Sequence, residues 1–267
     1  MTGTAVTTGT GTAGTTTAGR TIALARAELT LLGRTKATLA AAVFVPLTLP
    51  FTLRSTVDQM DLKGTGLTVG AILLPSAIGF SLLFAVYSSL VTVYAARREE
   101  LVLKRLRTGE LRDTEILAGA ALPSVAIGLA QCLILTVACQ VTLGVGAPRS
   151  PHLVLLGLLL ALVTWPALAA VTAGFSRSIE GAQVAAMPLT LVSLAGSGTF
   201  VPLDMLPDGM ASFCELLPLT PVITLIRGGW TGHLSAHDTV GAVVTAVAWT
   251  VIAVFAVRRW FRWEPRR

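Results

Sequence analysis

Charge is what this sequence has least of. Aspartate, glutamate, lysine and arginine make up 13% of the 267 residues, against 53% hydrophobic residues and a mean hydropathy of +0.75. A soluble domain carries roughly twice that charge, so a water-soluble globular fold is excluded and a membrane protein is expected. The three cysteines, Cys132, Cys139 and Cys214, are odd in number and lack metal-ligand spacing. Cys132 and Cys139 sit within one apolar run, where a packing role is expected. Only three histidines occur, His152, His233 and His237, all outside the apolar runs. They supply no metal site, and no base at membrane depth for Ser197 in the protease-like "AGSG" at 195–198. Small residues there suit close helix packing instead.

Two further absences narrow the function. None of the fourteen acids falls in the middle of an apolar run, which counts against coupling to protons or sodium, because such carriers place an ionisable group within the membrane. No GxxxxGK[ST] loop occurs, and "LKGTGLT" at 62–68 lacks the Gly-Lys pair. The chain therefore has no phosphate cradle of its own for ATP.

What is present is a series of apolar runs. Residues 1–19 are almost entirely threonine, glycine and alanine without charge, and are expected to be a disordered tail rather than a signal peptide. Residues 20–36 set Ile22, Ala25, Leu29 and Leu32 at near-helical spacing among Arg20, Arg26, Arg34 and Lys36, predicting an amphipathic helix on the membrane surface. Six spans are predicted at about 37–53, 66–96, 116–146, 153–175, 184–203 and 239–257. A basic tail, 258–267, follows. Between the fifth and sixth runs, "GSGTFVPLDMLPDGMASFCELLPLTPVITLIRGGW" is too apolar for a solvated loop and too broken for a span. Pro207 and Pro221 are placed to open two short helices, with a split at 216–221 and Gly228-Gly229 as the end. A re-entrant hairpin is expected there.

Sixteen of the twenty lysines and arginines fall in the segments on one side of this layout. The positive-inside rule makes that side cytoplasmic, with both termini on it. Its densest part is "VYAARREELVLKRLRTGELRDTEILAG", where six basic and five acidic residues lie between positions 97 and 115. The pI near 9.9 comes from such segments beside apolar runs, so no nucleic-acid partner is implied. Leu101, Val102, Leu103 and Leu106 form an apolar patch on a predicted short helix that Thr108-Gly109 would stop. Such a patch fits either lipid headgroups or the groove of a partner, and a plain topology anchor is the third reading.

The order of these features resembles the ABC type 2 transporter permeases over nearly the whole chain after the tail. "ELTLLGRTKATLAAAVFVPLTLPF" is similar to the family's interfacial helix and first span, and "ILAGAALPSVAIGLAQ" to its third-span opening. "RREELVLKRLRTGEL" is similar to its coupling segment, and "SGTFVPLDMLP…LLPLTPVITLIRGGW" to its outer re-entrant signature. Gly109-Glu110 departs from the Thr-Pro pair common in relatives. The resemblance implies an all-α membrane domain of six transmembrane helices, 37–257, with interfacial helix, coupling helix (97–110) and re-entrant hairpin. It also implies a non-enzymatic permease subunit in the plasma membrane. ATP and Mg2+ would be handled by a separate ABC ATPase subunit, and a second permease copy or sister permease would complete the pathway in the bilayer. Glu99, Glu100, Leu103, Arg105, Leu106 and Arg107 are the residues it places at the ATPase. The loops look most like the daunorubicin-resistance branch, which implies outward movement of a drug or natural product. Phe80, Phe84 and Tyr87, at helical spacing with Tyr94, would either line the pathway or pack the bundle. A secondary transporter and a non-transporting assembly protein are the alternatives to this reading.

Overall fold

The computed structural model describes residues 68–101, 112–199 and 206–260, together with the isolated helical positions Thr48 and Thr52. Every regular element among these residues is a helix. The interfacial helix, the first span apart from Thr48 and Thr52, and the stretch 102–111 of the charged segment lie outside the described residues. Five helices are long and apolar enough to cross a membrane: α1 (Val69–Glu99), α2 (Asp113–Leu143), α3 (Pro151–Phe175), α4 (Ile179–Gly196) and, after two short helices, α7 (Ala236–Trp260). They correspond to the second through sixth predicted spans.

The helices overrun or undershoot the apolar runs for local reasons. Hydropathy marks the hydrocarbon slab, whereas caps mark the helix. α4 begins at Ile179, not 184, because the Ser178 hydroxyl accepts the Gly181 N–H at 3.0 Å. It stops at Gly196, not 203, where Gly198 turns the chain in the left-handed region (φ 71°). α2 starts at Asp113, its entrance closed by the Glu115 carboxylate accepting the Arg112 N–H at 2.9 Å.

α1 is the central element. Its most apolar stretch is 83% buried inside the protein, against 17% for α7, so α7 turns Val240, Val244, Val247, Val251 and Phe255 outward. Both are strongly hydrophobic, and apolar character alone does not separate them. Close packing on α1 is allowed by Gly128 of α2, where an added Cβ would sit 2.7 Å from Val86 Cγ2. Midway, α1 widens into a π-helical segment, Leu83–Ser88. There the buried Tyr87 ring meets Trp165 of α3 at 5.7 Å, and its hydroxyl pairs with Thr172 at 3.0 Å.

Polar pairs fasten the spans together. Ser81 of α1 donates to Gln131 Oε1 of α2 at 2.6 Å, both buried, and Thr164 of α3 pairs with Thr250 of α7 at 2.7 Å. Such bonds between spans are worth about 0.6 kcal/mol, up to roughly 1.7. Ser81→Ala is therefore expected to lower stability by about 1 kcal/mol. A calibrated unfolding titration in detergent micelles checks this.

Two short helices, α5 (Asp208–Glu215) and α6 (Thr220–Thr231), are bent by 95° to each other. At 1.5 Å per residue they are about 12 and 18 Å long, too short to cross ~30 Å of hydrocarbon singly. The break lies beside Gly79, where an added Cβ would meet Ile223 at 3.0 Å and Leu219 at 3.4 Å, well inside α1. Freed carbonyls at the break are satisfied: the Trp249 indole N–H donates to Leu216 O at 2.7 Å, and the Thr220 hydroxyl to Cys214 O at 2.5 Å. Pro207 and Pro221 stand at the two helix starts as expected. Gly228-Gly229 does not end α6. The pair lies within it, and the helix stops at Gly232 (φ 72°). Both glycines are consumed by close packing instead, Gly228 against Leu234 and Gly229 against Ser150 and Val154.

Candidate functional site

The charged end of the bundle is where α1, α2, α3 and α4 meet. On α1 the buried residues Leu90, Val91, Tyr94, Ala95 and Arg98 form one helical face. That face puts a tyrosine and an arginine, rather than leucines, against the neighbouring helices. The Tyr94 hydroxyl donates to Leu117 O at 3.0 Å, in the second turn of α2. Arg98 is only 1% exposed, and its guanidinium donates to Ala173 O at 2.5 Å, in the last turn of α3, and to O of the C-cap Ser176. A cation there is favoured by the negative end of the helix dipole, and Ala173 O accepts the Ser176 N–H (3.2 Å) as well as the guanidinium.

Glu99 does the converse for α4. Its Oε1 accepts the Ile179 N–H at 2.8 Å, at the positive end of that helix. Higher on the same side, Gln183 Nε2 donates to Thr92 Oγ1 at 3.3 Å. Adjacent residues of opposite charge thus hold the two ends that flank the turn 176–178.

The charged segment differs here from the sequence expectation. A coupling helix was expected to begin at 97, but residues 97–99 are the last turn of α1. The break follows at Glu100 and Leu101, whose φ of 59° is unusual for a leucine. Of the residues expected at a partner ATPase, Glu99 bonds within the chain and Glu100 is exposed. Leu103, Arg105, Leu106 and Arg107 lie outside the described residues.

The three aromatic residues weighed as pathway lining do not share one surface. The Phe80 and Phe84 rings stack at 4.4 Å, Phe84 being 38% exposed, whereas Tyr87 is fully buried against Trp165. Cys132, Cys139 and Cys214 are free thiols, all buried.

Sequence reasoning missed Arg98 as a buried residue, placing it at the start of the coupling segment. The available signal was its position four residues after Tyr94 and seven after Val91, on the buried face.

The opposite end of the bundle is closed by α6. The Trp230 indole N–H donates to Gly146 O at 3.0 Å, and Arg227 to Gly198 O at 2.7 Å. Comparison with protein-family models matches residues 20–230 to the ABC-2 type transporter family. No curated protein matches the chain. The matched region takes in the helical bundle up to the end of α6 and the charged segment between α1 and α2. The chain belongs to the ABC-2 type transporter family, as the membrane permease component of an ABC transporter.

Proposed function

We propose that this permease is the membrane subunit of an ATP-driven exporter that moves a hydrophobic small molecule, a drug or natural product, outward across the plasma membrane. The observation that carries the reading is the family match across residues 20–230, which encloses a charged segment whose apolar residues have no use in solvent. ATP and Mg2+ act on a separate ABC ATPase subunit. That subunit engages the segment after α1 through Leu103, Arg105, Leu106 and Arg107, with Glu100 at its edge. A second permease copy or a sister permease completes the pathway. Six spans and an interfacial helix at 20–36 rest on the apolar pattern of the sequence, and cytoplasmic termini on its charge distribution. The bent pair α5–α6 is then an outer re-entrant hairpin. Supporting this, Trp260 at the end of α7 stacks near Phe175 at the end of α3 (6.4 Å), so both helices finish on the charged side and the hairpin returns to the side it left. The absence of acids in mid-span argues against proton or sodium coupling, and the daunorubicin-resistance resemblance favours a drug-like cargo. Phe84, stacked on Phe80, is the aromatic pair open to such a cargo, with Tyr87 behind it.

The reading is tested with inside-out vesicles holding permease and ATPase, using daunorubicin as the fluorescent probe. The expected result is ATP-dependent accumulation abolished by vanadate. Accumulation driven by a proton gradient without ATP would establish the secondary-transporter alternative instead.

A further inference from the structure

We infer that Arg98 and Glu99 are positioning residues that lock the α3–α4 turn to the last turn of α1, so that displacement of the charged segment moves α1, α3 and α4 as one body. The inference rests on the proposed coupling to an ATPase and gives these two residues a role distinct from touching it.

The geometry is specific. Only Glu100 separates Glu99 from Leu101 at the break, so whatever pulls on the following segment pulls first on this turn. Arg98 carries that pull to α3 through two carbonyls at its C-terminal end. Glu99 carries it to α4 through the first helical N–H. Each charge matches the dipole end it faces, and exchanging them would place like against like at both. The connection between α3 and α4 spans only 176–178, with Ser176 buried. Both helices are therefore gripped at one point. Tyr94 extends the grip to the second turn of α2. The last two turns of α1 thus hold three neighbouring helices where the charged segment departs. A surface role for Glu99 at a partner leaves its bond to the Ile179 N–H without purpose.

The test uses the full permease–ATPase complex in lipid nanodiscs, with hydrogen–deuterium exchange read over 176–186 before and after trapping with ADP and vanadate. Glu99→Ala is the main variant, since Glu99 is exposed and its loss leaves the core intact. Arg98→Lys, which keeps the charge but not the two-pronged donor, is the second. In the parent, trapping is expected to change exchange at least threefold in this stretch. In Glu99→Ala the ATPase should bind with affinity unchanged within twofold, while the trapping-dependent change falls to less than a third. Arg98→Lys should show an intermediate loss. A Glu99→Ala complex that keeps the full trapping-dependent change overturns the inference and leaves the coupling proposal standing. A tenfold loss of ATPase affinity, with exchange at 176–186 unaltered in the free permease, also overturns it, because Glu99 would then be a partner contact. A parent complex without any trapping-dependent change overturns the coupling proposal itself, and the inference with it.

Discussion

Leu106→Asp is expected to abolish capture of the ATPase while leaving the permease inserted and folded. Leu106 completes the apolar patch of Leu101, Val102 and Leu103 in a segment otherwise dense in charge. An apolar anchor that serves as the hot spot of a desolvated groove is worth about 2 kcal/mol or more when truncated. Aspartate adds the cost of desolvating a carboxylate without a partner, several kcal/mol more. Together these amount to a loss of at least about a hundredfold in affinity. The same change is expected to cost the permease little by itself, since the sequence around position 106 is already dense in charge. Pull-down in mild detergent should therefore recover ATPase with the parent and none with the variant, both eluting alike from a sizing column. ATP-driven export at the parent rate by the variant would show that the contact lies elsewhere.

The second large effect belongs to Gly229→Val. An added Cβ at Gly229 would lie 2.5 Å from Val154 Cγ2 and 3.0 Å from both Ser150 O and Val154 N. Two of those atoms are backbone of the first turn of α3, tied down further by the Ser150 N–H bonding to Gly229 O at 2.8 Å. A flexible side chain would yield, whereas this backbone cannot without parting α6 from α3. Overpacking costs about 1–3 kcal/mol, and backbone contact puts this site at the upper end. A fall of about 6–12 °C in thermal midpoint is expected for a chain of this size. Gly241→Ala is the control: its Cβ would meet nothing within 4 Å, and alanine is the better helix former. Its midpoint should hold or rise. Equal midpoints for Gly229→Val and the parent would show that the α3–α6 contact is loose.

How far the sequence could be read depended on which force set each feature. The second through sixth spans were legible because hydrocarbon demands long apolar helices, and the membrane penalises any alternative for the backbone. Pro207 and Pro221 announced α5 and α6 because proline suits the start of a helix, where its missing N–H is no loss. The ends of α4 were misplaced by several residues. They are set by the Ser178 cap and the turn at Gly198, and hydropathy is blind to both. Gly228-Gly229 read as a helix stop, but in a crowded bundle glycine also serves close approach, and only the neighbours Leu234 and Val154 decide between the two. At the charged end, composition showed the density of charge and not its direction. That Arg98 points inward to carbonyls of α3 while Glu100 points to solvent is a matter of helical register against a tertiary neighbour. Tyr87 was similarly ambiguous: spacing placed it on one face with Phe80 and Phe84, and the π-helical segment Leu83–Ser88 breaks that spacing.

What touches position 106 in the native membrane decides between an ATPase contact and a topology anchor. Leu106→Cys, labelled with a benzophenone maleimide, is selective because Cys132, Cys139 and Cys214 are all buried. Irradiation of membranes containing permease and ATPase, followed by mass spectrometry of the cross-linked species, identifies the neighbour. The predicted product joins position 106 to a protein carrying a GxxxxGK[ST] loop. Cross-links to lipid alone, in membranes where that ATPase is abundant, would contradict the account and return the charged segment to the role of a topology anchor.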